Sequence, residues 1–364
     1  ENIDIGGPTM IRAAAKNYQD VAVVVSPSDY PAVIEELQAG GDLSLSTRWD
    51  LARKAYKLTA SYDRAVTVRL ARIEVRDGEF VETGSPQLPG RLDVFAPKAF
   101  DLRYGENPHQ SAALYSSRQG GIAGAEVLHG KELSYNNLVD LDAAWQLASE
   151  FSQPAAAIIK HTNPCGCAEQ ATLAEAYRKA FECDPVSAFG GVLAFNRTVD
   201  DETAEEISKT FVEAIAAPDY TPEALERLRK KKNLRLLRIA DGGRGQLVVK
   251  SITGGYLVQT ADEHVLNREQ CTVKTKRAPS EAEWKALEFG WKVAKHVKSN
   301  AIVYVRAGQT VGVGAGQMSR VDSVRIGAAK ANLPLEGTVV ASDAFFPFPD
   351  GVEEAAKHGI TAVI

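Results

Sequence analysis

The densest chemistry in this sequence sits in IIKHTNPCGC at 158–167, where Lys160 and His161 follow an apolar strand. An ammonium beside an imidazole offers a cation for developing negative charge and a base that works near neutrality. Consecutive strand side chains point to opposite faces. The two can therefore share a pocket only if the strand ends there and the chain turns, which Asn163-Pro164 and Gly166 favour. The plain alternative is a surface lysine beside a half-buried histidine. The stretch also invites a zinc reading, because nucleobase deaminases carry H-x-E and P-C-x-x-C. Here Pro164-Cys165-Gly166-Cys167 has one residue too few between its cysteines, and no Glu stands two positions after His161. Zinc fails on spacing.

Four other stretches carry chemical potential. In LRYGENPHQ (102–110) Arg103 suits bidentate phosphate binding and Gly105 permits close backbone approach; an ordinary polar loop is the alternative. In SAFGGVLAF (187–195) Phe189-Gly190-Gly191 precedes a buried strand, open to a flat ring or simply forming a tight turn. GVGAGQMSR (312–320) resembles a phosphate-cradling loop, but its spacing is G-x-G-x-G rather than G-x-G-x-x-G. Its glycines are expected to pack closely, with Ser319 capping the helix that carries Arg320. SDAFFPFPD (342–350) reads either as a core plug or as a rigid apolar wall edged by Asp343 and Asp350.

The elements that must position these residues are of α/β type. Residues 1–62 predict a helix after Pro8, a buried strand VAVVV at 21–25, a helix capped near Ser28 and Asp29, and another capped by Ser46 or Thr47. One strand and three helices cannot close a sheet, so this segment is expected to be a fragment of a domain. VTVRLARIEV, with the Asp77-Gly78 turn, predicts a hairpin, and 83–90 a linker. From 140 to 240 helices alternate with strands, which predicts a mostly parallel sheet. A second α/β segment starts near Pro279, contains the hairpin AIVYVRAGQTVGVGA, and ends in the strand ITAVI, where more chain is expected to follow. No internal repeat is visible. The 364 residues favour two or three domains, and a net charge of −5 sets up no field that attracts nucleic acid or an anionic membrane. Four cysteines exclude a disulfide scaffold, and no apolar run is long enough to span a bilayer, so a reducing cytoplasm is the expected location.

Taken together, LRYGENPHQ, LSYNNLVDLDAAW, KHTNPCG, SAFGGVLAFN, EAIAAPDY, KSNAIVY, GAGQMSR and SDAFFPFPD resemble, in order and over roughly 98–358, one family. It is the 5-aminoimidazole-4-carboxamide ribonucleotide (AICAR) transformylase half of the bifunctional purine-biosynthesis proteins. The start, ENIDIGGPTMIRAAAKN, looks like the end of that family's inosine monophosphate (IMP) cyclohydrolase half. The resemblance implies a cytidine-deaminase-like transformylase domain of two subdomains, preceded by a remnant of a methylglyoxal-synthase-like α/β domain. It implies boundaries of 1–64 for the remnant and its connecting helix, 65–278 for the linker and first subdomain, and 279–364 for the second.

The resemblance further implies formyl transfer from 10-formyltetrahydrofolate to the 5-amino group of AICAR. Lys160 and His161 match the catalytic pair and Asn300 the residue that helps hold the formyl oxygen. Arg103, Tyr104, Asn137, Phe189, Gly190, Glu213, Lys232, Arg320 and Phe345 match nucleotide or site-lining positions, with Glu213 where some relatives have Asp. Phe345, Pro347, Phe348 and Asp350 match the folate side, and Asp4 and Lys16 match cyclohydrolase positions whose companions would lie upstream. A homodimer with shared sites, no catalytic metal and a structural monovalent cation are also implied. As written, the chain is expected not to close formyl-AICAR to IMP. A zinc deaminase, a dinucleotide oxidoreductase and a non-catalytic nucleotide-binding or assembly fragment are the rival readings. Zinc analysis, NAD binding and a formyl-transfer assay separate them.

Overall fold

The computed structural model describes residues 2–83, 88–92, 94–116, 120–240 and 247–364; residues 84–87 of the expected linker lie outside them. The chain divides into two compact units, Glu1–Leu92 and Asp93–Ile364.

The first unit holds three helices, α1 (Gly6–Lys16), α2 (Tyr30–Gly40) and α3 (Leu45–Leu70), and the hairpin β1 (Ile73–Arg76) and β2 (Glu79–Glu82). Ser44, rather than Ser46 or Thr47, caps α3 by accepting from the Thr47 amide. Helix α3 runs on through Val66, Thr67 and Val68, which the alternation had assigned to a strand. Extending a formed helix fixes one residue per added hydrogen bond, and that outweighs the mild β-branched penalty. The Asp77-Gly78 hairpin forms as expected, in the register Arg76↔Glu79. The run at 21–25 is not a strand. Val23 and Val25 instead pack on a small core of Ala15, Ala52 and Ala55, and among the described residues β1 and β2 pair only with each other.

The second unit is built on a ten-stranded sheet. Its opening elements are a separate hairpin β3 (Lys98–Leu102) and β4 (Ala112–Tyr115), then β5 (Glu126–His129), α4 (Tyr135–Ala148), β6 (Ala155–Lys160) and β7 (Asn163–Glu169). Next come α5 (Leu173–Cys183), α6 (Pro185–Ala188), β8 (Gly191–Phe195), α7 (Asp201–Ser208), β9 (Val212–Ala217), α8 (Pro222–Arg229) and β10 (Arg235–Arg238). A further separate hairpin, β11 (Leu247–Ile252) and β12 (Gly255–Thr260), leads to α9 (Glu281–Ala294), β13 (Ile302–Arg306) and β14 (Gln309–Gly314). The chain then forms α10 (Arg320–Lys330), β15 (Val339–Ser342), α11 (Asp350–Ala356) and β16 (Ala362–Val363).

The order across the sheet is β16-β15-β13-β14-β7-β6-β8-β9-β10-β5. Only β15–β16, β8–β9 and β9–β10 are parallel; the other neighbours run antiparallel, so the sheet is mixed and not mostly parallel. The reason is local. A two-residue turn joins β6 to β7 and another joins β13 to β14, and strands so joined must pair antiparallel. Apolar clusters cover both faces of the sheet's middle: Leu141, Ala157, Ile159 and Val303 on one side, Ile158, Leu193, Phe195 and Ile215 on the other. The AAAII run is buried on both sides for this reason.

A repeat does appear, in topology rather than in sequence. Helix–hairpin–helix–strand is built once by α4, β6, β7, α5 and β8, with the one-turn α6 before the last strand, and again by α9, β13, β14, α10 and β15. Both times the second hairpin strand carries a glycine pressed against the following helix. A Cβ on Gly166 would lie 1.8 Å from the Ala180 carbonyl oxygen, and one on Gly314 1.9 Å from that of Ser323.

Candidate active site

Strand β6 ends at Lys160, and the chain reverses within two residues to pair Lys160 with Asn163. The turn is thus His161-Thr162, two residues earlier than Asn163-Pro164 suggests. Both have left-handed backbones, φ 52° and 63°. A two-residue hairpin loop of this kind ordinarily takes Asn-Gly, and each L-residue with a side chain pays about 1–2 kcal/mol to adopt it. Asp140, on α4, meets that cost: Thr162 N donates to its Oδ1 at 2.7 Å and His161 N to its Oδ2 at 3.3 Å. The His161 carbonyl accepts from Thr162 Oγ1 at 2.6 Å and from Asn163 Nδ2 at 3.2 Å.

The turn puts Lys160 and His161 on the wall of one cavity of about 290 Å³, shared with Asn163, Cys165, Gln317 and Lys330. Lys160 Nζ donates to the Phe189 carbonyl at 2.9 Å. Asn163 Oδ1 accepts from Lys298 N at 3.0 Å, which ties the turn to the segment carrying Asn300. Asn300 Nδ2 donates to the Gln317 carbonyl at 2.8 Å, and Gly316 N donates to the Lys298 carbonyl at 2.9 Å. The glycine loop at 312–320 therefore holds Asn300. Ser319 stands at the start of α10 but makes no side-chain cap.

Arg320, its side chain only 10% exposed, pairs with Asp343 and donates to Ser342 Oγ at 2.6 Å. Burial pushes the Asp343 carboxyl up, but Arg320, Ser299 and the Ala301 amide outweigh it and hold the group below its usual range. In SDAFFPFPD the rings divide between core and surface. Phe346 packs into the core with Tyr304, whereas Phe345 and Phe348 are 80% and 69% exposed. Pro347 is exposed between them, and Asp350 opens α11, accepting from Gly351 N at 2.8 Å.

The remaining expected residues are held by separate local contacts. Arg103 stacks over the Tyr104 ring at 5.2 Å, and its amide donates to the Leu133 carbonyl. Asn137 Oδ1 closes a capping box with Ser134 at the start of α4. Glu213 Oε2 accepts from Arg235 Nη1 at 2.8 Å, and Arg235 Nε donates to the Glu132 carbonyl. Phe189 rests against Phe211, and Gly190 N donates to the Phe211 carbonyl, two residues before Glu213. Lys232 is exposed beyond α8. In the first unit, Asp4 caps the start of α1 through the Gly7 amide while Lys16 stands in its last turn. About 15 Å of helix separates those two, so they do not meet.

Cys165 and Cys167 face opposite sides of the sheet. A bulge leaves Cys165 unpaired between Pro164 and Gly166, and the two thiols enter different core clusters. They cannot share a metal ion. Burial pushes the Cys165 and Cys183 thiols up to about 12. The residues that sequence reasoning missed are Asp140 and Gln317, and Asn163 in its bridging role. Asp140 had one visible signal: it stands three residues after Asn137 in LSYNNLVDLD, on the same helix face.

A mixed α/β sheet whose lysine–histidine turn walls one cavity, tied through Asn163 to the segment that carries Asn300, is a frame suited to group transfer. The family model described as AICARFT/IMPCHase bienzyme matches residues 14–330. The chain is 53% identical over 372 residues to the bifunctional purine biosynthesis protein PurH of Sorangium cellulosum, covering all of this chain and 71% of that protein. It is 50% identical over 369 residues to PurH of Desulfitobacterium hafniense strain DCB-2 and over 366 residues to PurH of Thermoanaerobacter sp., spanning 71% and 70% of their lengths. The chain belongs to the AICARFT/IMPCHase bienzyme family.

Proposed function

We propose that this chain transfers the formyl group of 10-formyltetrahydrofolate to the 5-amino group of AICAR, at the cavity walled by Lys160 and His161. The observation that carries the reading is the turn itself. It spends conformational energy to bring a base and a cation into one pocket, next to the segment that carries Asn300. The acceptor amine is a weak nucleophile because its lone pair is shared with the ring and carboxamide. His161 removes its proton as the new C–N bond forms. Lys160 stabilises the oxyanion that develops on the formyl oxygen or protonates the departing N10, and Asn300 donates to the same oxyanion. Arg103, Tyr104, Asn137, Phe189, Gly190, Glu213, Lys232 and Arg320 hold the nucleotide, and Phe345, Pro347, Phe348 and Asp350 the pterin side.

In this reading, residues 1–64 are the end of a cyclohydrolase domain, and 65–278 and 279–364 are the two transformylase subdomains. The repeated helix–hairpin–helix–strand order supports the division within the sheet. The exposed Phe189, Phe345 and Phe348 fit a homodimer with shared sites. Among the described residues no helix is long and apolar enough to cross a membrane, in keeping with a cytoplasmic enzyme. For the family's structural monovalent cation the candidate place is the cavity lined by Asp262, Ser299, Ser342 and Asp343 together with Lys295 and His264, where it would supply no chemistry. The test is tetrahydrofolate release from 10-formyltetrahydrofolate in the presence of AICAR, followed by absorbance. Tight AICAR binding without turnover would favour the binding-only alternative.

A further inference from the structure

We propose that Asp140 is a positioning residue for the formyl transfer: its carboxylate clamps the left-handed His161-Thr162 turn and so aims the imidazole. The inference rests on the assignment of His161 as the base. Every hydrogen-bonding group of the His161 backbone is engaged. Its amide donates to Asp140 Oδ2, and its carbonyl accepts from Thr162 Oγ1 and Asn163 Nδ2. The next amide, Thr162, donates to Asp140 Oδ1. Two amides on one carboxylate use both oxygens, so the clamp needs two acceptors at one position.

The clamp is also rigidly mounted. Asp140 belongs to α4, whose Leu141, Ala144, Leu147 and Ala148 are wholly buried against the sheet that carries β6. The helix and the turn are thus fixed on one frame, and Asp140 is the bond between them. Without it, a β-branched threonine and a histidine have little reason to stay in the left-handed region. Relaxing the turn would swing the imidazole, and a displacement near 1 Å costs on the order of 10²-fold in rate.

Asp140→Asn keeps the shape but replaces one acceptor with a donor. In the full chain, kcat is expected to fall roughly 10–100-fold while AICAR affinity changes less than about threefold. Amide exchange at 161 and 162 should quicken about tenfold or more, with β6 still protected. Two further variants separate aiming from mere stability. Adding Asp140→Asn to His161→Ala should cost nothing more, because a residue that acts through the imidazole has nothing left to aim. Adding Thr162→Gly to Asp140→Asn should recover turnover, since glycine adopts the turn unaided.

Near-parental kcat in Asp140→Asn, unchanged amide exchange, or full additivity with His161→Ala would each overturn the proposal. If Asp140→Asn does not fold, the Asp140→Asn/Thr162→Gly protein takes its place; its failure to fold as well would assign Asp140 to stability alone. If His161→Ala itself turns over normally, the base assignment falls and the proposal with it. If His161→Ala is inactive and Asp140→Asn is not, only the clamp falls.

Discussion

Two hairpins occupy corresponding places in the repeated halves of the sheet, and they solve the same geometric problem with different residues. Between β13 and β14 the turn is Ala307-Gly308, where Gly308 has φ 72° and packs against β7, its carbonyl accepting from the Glu169 amide. Between β6 and β7 it is His161-Thr162, with no glycine at all. The first turn is the economical one, because glycine enters the left-handed region freely. The second is costly and needs Asp140 to hold it. Where a fold uses the expensive residues in a place that a cheap one could fill, the side chains themselves are what is wanted. The halves also differ in what their second strands lead to. After β7 the chain runs into α5, whereas after β14 a loop detours to grip Asn300 before α10 begins.

This contrast is most sharply broken at His161. His161→Ala should lower turnover about 10²–10⁴-fold with AICAR still bound, as calorimetry beside a steady-state assay would show. Lys160→Ala should lose about 10²–10³-fold, chiefly in kcat. Turnover near the parental value in both would place the chemistry outside the β6–β7 turn. Arg103→Ala should act on binding instead, weakening AICAR roughly 10–100-fold through loss of a charged hydrogen bond, with a smaller change in the bound complex.

The second hairpin should respond in stability alone. A Cβ on Gly308 meets the Glu169 carbonyl oxygen at 2.6 Å and must also hold a positive φ. Gly308→Ala should therefore cost about 2 kcal/mol in unfolding, with kcat per folded molecule unchanged. A large loss of kcat would show that the two turns are not divided between structure and chemistry.

The smallest effect concerns acid. Asp343 titrates below its ordinary 3.8 in the folded state, so its contribution to stability is full well above pH 3.8 and is lost as pH falls through the lower folded value. Thermal melting of the parent should drop more steeply below pH 4 than that of Asp343→Asn. Equal slopes would mean that the pair with Arg320 contributes nothing.

Much of this was written locally in the chain. The Asp77-Gly78 turn, the buried AAAII strand and the hairpin at 302–314 follow from spacing and residue type, which act over a few positions, whereas the capping residues did not: Ser44 caps α3 and Ser319 caps nothing. Lys160 and His161 stood out because their types carry chemistry, and Asn300 only through the family resemblance. Strand partners did not stand out: the run at 21–25 has strand composition and no ladder, and the sheet expected to be mostly parallel is mixed. Nor did spacing reveal that a bulge parts Cys165 from Cys167, or that the glycine loop grips Asn300. The bonds that aim the site join residues 21, 22 and 135 positions apart, Asp140 to His161 and Thr162, and Asn163 to Lys298. No periodicity encodes such pairs. They exist because burying both faces of one sheet brings α4, the β6–β7 turn and the Lys298–Asn300 segment within hydrogen-bonding distance.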